Sequence, residues 1–186
     1  DAASFPGAEH GVGGFYPMMQ QFWKALGARG SMTFYDRGWY SVMAQHVINA
    51  LPGKGKLSRK DRQALQAKAQ RAVPTIEDFE TQLRNDGYIV IKFFLHISEK
   101  TQISLYSDPS TKWRVDRKDI KQIERYEQTY RIYDEMLNRS NFKVAPWILL
   151  DAEDHRRVNL RVVQALVDAL ESELSKPQDN AAIEAE

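Results

Sequence analysis

The sequence predicts an α/β protein with a parallel sheet, on three observations. Residues 88–95, Tyr-Ile-Val-Ile-Lys-Phe-Phe-Leu, are apolar at nearly every position, the composition of a strand covered on both faces. Two further short apolar runs, 31–35 and 147–150, are separated from it by segments with helical spacing. Strands that alternate with helices in this way pair in parallel, through helical crossovers. Three strands are few for such a sheet, so the first and edge strands are expected before Asp1.

Each element has its own local reason. Residues 1–14 hold four glycines and no apolar period, and read as a loop. Met19, Phe22, Trp23 and Leu26 recur at helical spacings, which predicts a helix over 16–26 closed by Gly27 and Gly30. The strand at 31–35 runs straight into Asp36-Arg37-Gly38. A helix over 38–51 follows, carrying Val42, Met43, Val47 and Leu51, and Pro52-Gly53-Lys54-Gly55-Lys56 breaks it. Residues 58–73 form a polar surface helix, and Pro74 suits the first turn of a separate helix carrying Ile76, Phe79 and Leu83. Asn85-Asp86-Gly87 ends that helix. Beyond the central strand, Ser98-Glu99 opens a short helix. A long helix over 119–138 is marked by Ile120, Ile123, Tyr126, Tyr130, Tyr133 and Leu137. Pro146 precedes the strand at 147–150, and a last helix over 154–174 has Val158, Val162, Leu166 and Leu170 as its inner face. Residues 176–186, rich in Ala and Glu, read as a disordered tail.

The composition narrows the function. Lys and Arg number 26 against 25 Asp and Glu, so a globally basic nucleic-acid binder is not indicated and a polyanion site must come from local clustering. The absence of cysteine excludes disulfides and thiolate zinc sites. No apolar run approaches the roughly 18 residues of a membrane span, and the first residues lack a signal-peptide pattern. The expectation is one soluble, cytoplasmic domain over 1–175, with neither a membrane nor a nucleic-acid partner. His10, His46, His96 and His155 lack zinc-ligand spacing, and no Gly-x-Ser-x-Gly elbow occurs.

Two groups of residues could carry chemistry. Asp36 ends a buried strand, where α/β sheets open the crevice that binds ligands, and Arg37 beside it offers a two-pronged donor to phosphate oxygens. An Asp there either holds a magnesium ion or caps the following helix. The second group is basic: Lys112, Trp113 and Arg114, then Arg117, Lys118, Lys121 and Arg125. It reads either as a mobile segment that closes over phosphates or as a solvated helix face balanced by Asp116, Asp119 and Glu124.

Taken in order, these segments resemble the polyphosphate kinase 2 family. Phe34-Tyr35-Asp36-Arg37-Gly38-Trp39-Tyr40 is similar to its Walker B signature, Phe-Asp-Arg-Ser/Gly-Trp-Tyr. Phe22-Trp23-Lys24-Ala25-Leu26 before it, and Phe79-Glu80, Gln82-Leu83 and Asp86-Gly87 after it, match further family segments. So do Lys92-Phe93-Phe94-Leu95-His96-Ile97-Ser98, Asp108-Pro109, Lys112-Trp113-Arg114 and Ala145-Pro146-Trp147. The resemblance implies a P-loop kinase-like three-layer α/β/α fold and phosphoryl transfer between polyphosphate and AMP or another nucleotide, with magnesium. It further implies that Asp36 lies near the metal and that Arg37 touches phosphate or nucleotide. Lys112, Arg114, Arg117 and Lys118 would then belong to a lid spanning about 99–125.

The chain departs from that family at one decisive place. The Walker A loop, Gly-x-Asp-x-x-Gly-Lys-Gly, is absent: Asp1-Ala2-Ala3 echoes its middle, but Ser4-Phe5-Pro6 follows. Gln102 is followed by Ile103, Ser104, Leu105 and Tyr106 where the family's lid helix carries arginines. The family includes tandem proteins in which one of two fused copies has decayed. The chain is therefore expected to be a fragment or a degenerate copy, paired with a second copy or a homo-oligomer, or else a regulatory or scaffolding domain.

Overall fold

Both strand pairs of the computed structural model are parallel, as the alternation of strands and helices requires. The structure describes residues 2–4, 19–40, 44, 48, 59–114, 120 and 122–175. β1 (Ala2–Ser4) pairs with β2 (Phe34–Asp36), Ala2 opposite Phe34 and Ser4 opposite Asp36. β3 (Lys92–His96) pairs with β4 (Trp147–Asp151), Lys92 opposite Trp147 and His96 opposite Asp151. Around them lie α1 (Gln20–Lys24), α2 (Arg59–Asn85), α3 (Glu99–Ser107), α4 (Tyr126–Arg139) and α5 (His155–Leu174).

Several expectations change. The opening segment, read as a loop, contains β1; Ala-Ala-Ser is too short to show a period, and only its partner β2 makes it a strand. Among the described residues the strands pair in parallel as β1 with β2 and β3 with β4. Strand geometry begins at Lys92, not Tyr88, because the partner ladder begins only at Trp147. β3 is not covered on both faces either: Leu95 is 55% exposed, and the one buried position is the charged Lys92.

Pro74 does not separate two helices but lies inside the single α2. An interior proline loses one backbone hydrogen bond, at roughly 3 kcal/mol. The turns after it compensate by burying Ile76, Phe79, Glu80 and Leu83 on one face. The helix expected over 119–138 is interrupted at Glu124 and Arg125, where Arg125 leaves helical geometry at φ −132°, so α4 starts at Tyr126. α5 matches its expected span; Asp154 caps it, accepting hydrogen bonds from the Arg156 and Arg157 amides. Gly30 and Gly87 both take φ 83°, the left-handed turn geometry that favours glycine after a helix. Of the helix expected over 38–51, residues 39, 40, 44 and 48 are described and helical, and the tail 176–186 lies outside the described residues.

The core gathers Met19 and Phe22 near α1, Trp39, Tyr40, Ala44 and Ile48, the buried face of α2, and Met136 and Phe142. Tyr40, Ala44 and Ile48 recur every fourth residue, which places them on one helix face. Aromatic edges fill the space between elements: Trp39 meets Phe22 at 5.7 Å and Phe79 at 5.1 Å between ring centroids.

At the centre of this core sits an ion pair. The Lys92 ammonium donates to Glu80 Oε2 at 3.0 Å, to the Tyr40 hydroxyl at 2.8 Å and to the Ser140 carbonyl at 2.9 Å. Its three protons are thereby used, and the rings of Tyr40, Phe142 and Trp147 stand 4.7 to 5.0 Å from it. Glu80 Oε1 accepts from Trp39 Nε1 at 3.0 Å and from the Tyr40 hydroxyl at 2.7 Å. Burial lowers the Lys92 pKa, against the opposing pull of Glu80, and burial followed by the Glu80 charge raises that of Tyr40.

Removing one member leaves a buried charge uncompensated. Lys92→Met should therefore cost about 3–5 kcal/mol in urea unfolding. The double variant Lys92→Met with Glu80→Gln should recover part of that loss, because the neutral amide still accepts from Trp39 and Tyr40.

Candidate functional site

The carboxyl ends of parallel strands are where an α/β fold leaves its backbone and side chains free to meet a ligand. Here Asp36 closes β2, His96 closes β3 and Asp151 closes β4. All three line a single cavity of about 1360 Å³ that runs along β2 and β3 and is walled on a further side by the start of α4.

Arg37 follows Asp36 with φ 58°, the only non-glycine residue at positive φ among the described residues. A left-handed conformation costs a non-glycine residue on the order of 1–2 kcal/mol. Such strain is kept where it aims a group, and here it turns the chain sharply at the cavity wall directly after Asp36. The turn is held from behind: Tyr35 donates from its hydroxyl to the Phe22 carbonyl at 3.4 Å, and its ring packs edge-on against Trp39.

The loops after β3 and β4 are joined by Glu153. Its carboxylate accepts from the Ser98 amide at 2.6 Å and from the Thr101 hydroxyl, so the start of α3 is tied to the end of β4. Ser98 caps α3 by accepting from the Thr101 amide at 3.3 Å. These hydrogen bonds, that from Thr101 foremost, hold the Glu153 pKa below its ordinary value. Ala152 donates from its amide to the His96 carbonyl at 2.8 Å, extending the ladder past the strand ends.

The residues singled out in the sequence are thus divided. Asp36 and Arg37 stand together on the cavity. Lys112 and Arg114 lie on a 3-10 turn after α3, and Lys112 is exposed, resting against the Tyr106 ring at 5.4 Å instead of lining the cavity. Arg117 and Lys118 lie outside the described residues. His96, Gln102, Tyr126, Thr129, Tyr130 and Asp151 line the cavity without having been singled out as site residues. For His96 and Asp151 the signal was the one that marked Asp36, a polar residue directly after an apolar run. The tyrosines were absorbed into an apolar stripe.

Among the described residues no three His, Asp or Glu side chains cluster as a metal cage. Magnesium does not require one: it is commonly held by one or two carboxylates, its remaining positions taken by water and substrate phosphate. The exposed Asp36 at the cavity fits that donor set. No helix among the described residues is long and apolar enough to cross a membrane.

A family model described as polyphosphate kinase 2 matches residues 13–178. A polyphosphate:AMP phosphotransferase of Pseudomonas syringae is 29% identical over 165 residues, which cover 86% of this chain and 30% of that protein. Among solved structures, one described as a polyphosphate kinase 2 from Pseudomonas aeruginosa PA01 superposes with a TM-score of 0.76 at 26% identity, over 95% of this chain and 36% of that one. The polyphosphate kinase 2 of Arthrobacter aurescens TC1 gives 0.72 at 22% identity, over 99% and 62%. The chain thus spans less than a third of the Pseudomonas syringae protein.

The Glu153 tie should show itself in the pH dependence of stability. A carboxylate whose pKa falls on folding stabilises the fold above its unfolded value, near about 4.3, and loses that contribution as pH drops through the folded value. Glu153→Gln should therefore lower the melting temperature at neutral pH and converge with the unsubstituted chain in acid, measured by thermal unfolding across that range.

Proposed function

The chain belongs to the polyphosphate kinase 2 family, and from that membership we propose that it is a polyphosphate- and nucleotide-binding domain that does not transfer phosphoryl groups by itself. This reading is carried by the acid and the arginine that stand side by side on the crevice at the end of β2. Asp36 and Arg37 stand together at the strand end, and residues 1–186 contain no Gly-x-Asp-x-x-Gly-Lys-Gly run. A Walker A loop surrounds the phosphates with backbone amides and a lysine. Loss of one such donor at a transition state costs roughly a hundred- to a thousandfold in rate, so a polypeptide without such a loop has no useful turnover of its own.

The roles follow from position. Arg37 contacts phosphate oxygens, and Asp36 is the residue that would hold a magnesium ion. Bound there, magnesium would neutralise phosphate charge. Lys112, Arg114, Arg117 and Lys118 are the proposed lid residues over bound polyanion. AMP is the proposed nucleotide, because the Pseudomonas syringae relative is named for transfer to AMP.

Incubation of the purified chain with polyphosphate, AMP and magnesium should yield no ADP, whereas polyphosphate should raise its melting temperature by an amount that shrinks with added salt. Robust ADP formation would contradict the loss of transfer, and the absence of any shift with either ligand would contradict the binding role. Arg37→Ala should weaken polyphosphate binding about tenfold, the worth of a hydrogen bond to a charged group.

A further inference from the structure

Where it lines the same cavity as Asp36, the start of α4 carries a group that phosphate binding does not require. Tyr126 and Tyr130 lie one turn apart, with ring centroids 6.2 Å apart and planes 30° from parallel. His96, at the end of β3, meets Tyr130 edge-on at 5.8 Å, and its Nε2 is 3.1 Å from the Tyr126 hydroxyl. The three rings are thus fixed to one another by two elements. Yet Tyr130 remains 50% exposed, at a position where a core aromatic would be covered.

Between the two tyrosines lies Thr129, which is 6% exposed and lines the same cavity. Its hydroxyl is the one buried side-chain polar atom without a hydrogen-bond partner among the described residues. Buried polar groups are nearly always satisfied, so an orphan hydroxyl on a cavity wall is short of a partner that a ligand could supply. An exposed ring face and an unsatisfied hydroxyl are the two features by which proteins hold a flat, hydrogen-bonding heterocycle.

We propose that His96, Tyr126, Thr129 and Tyr130 form the seat of the nucleobase, the ring stacking on Tyr130 and a polar edge atom meeting the Thr129 hydroxyl. This rests on the nucleotide-binding role above and adds which wall receives the base. The phosphates then lie toward Asp36 and Arg37, which line the same cavity. The seat recognises any base through its π-face and discriminates among bases only through Thr129.

Calorimetric titration of the chain with AMP, ribose 5-phosphate and polyphosphate separates the parts. Tyr130→Ala should weaken AMP about tenfold and leave ribose 5-phosphate and polyphosphate unchanged. Tyr130→Phe should bind like the unsubstituted chain, and Thr129→Val should weaken AMP alone. Far-UV circular dichroism establishes that each variant is folded. The seat is overturned if Tyr130→Ala leaves AMP binding intact, or if it weakens ribose 5-phosphate equally. Binding of polyphosphate without any nucleotide would also overturn it, while the polyphosphate half of the proposed function stood. Binding of none of the three would remove both.

Discussion

The architecture turns on one buried cation. Lys92 opens β3, and its ammonium draws together groups from four other places: Glu80 on α2, Tyr40, the Ser140 carbonyl at the end of α4, and the Trp147 ring at the start of β4. Serine 140 extends the connection, accepting from Trp147 Nε1 at 2.9 Å and donating to the Met136 carbonyl at 2.6 Å. A buried ion pair adds little net stability compared with well-packed apolar residues, because desolvation offsets the attraction. It does impose a single arrangement, since any shift of one element leaves a charge or a donor unpaired in a medium that penalises it. The lowered Lys92 pKa is the mark of that tension: burial acts against the charged form even with Glu80 beside it.

That lock lies at the amino end of β3 and β4, and the candidate site lies at their carboxyl end. Registering Lys92 against Trp147 sets His96 against Asp151 four residues later, so the core fixes the cavity wall at a distance. Glu153 then ties the loops beyond the strands, and Trp39, held by Glu80, packs on Tyr35 just before Asp36. The rigid part of the molecule and the open part are thus consecutive segments of the same strands. This is the arrangement by which α/β folds combine a fixed core with an adaptable crevice.

Much of this was legible in the residues. The run ending at Leu95, the Pro146 before Trp147 and the capping Asp154 marked β3, β4 and α5, because each combines an apolar pattern with a local stop or start signal. Pro74 misled: its local cost argued for a helix start, but the burial of Ile76, Phe79 and Leu83 carried the helix through it. The Glu80–Lys92 pair could not be read, since two charges twelve positions apart look like surface residues until the fold buries them. Asp36 and Arg37 were visible as a polar pair after a strand. Tyr126 and Tyr130 were read by helical spacing alone, which does not distinguish a ring that faces the core from one that faces a cavity.

The proposed function places phosphate and nucleotide in the crevice at the strand ends. Amide chemical-shift mapping tests it most directly, by titrating polyphosphate and then AMP into isotopically labelled chain. Polyphosphate should perturb the amides around Asp36, Arg37 and Gly38, and AMP should add perturbations at His96, Tyr126 and Tyr130. Perturbations confined to surfaces away from these residues, or none with either ligand, would contradict it.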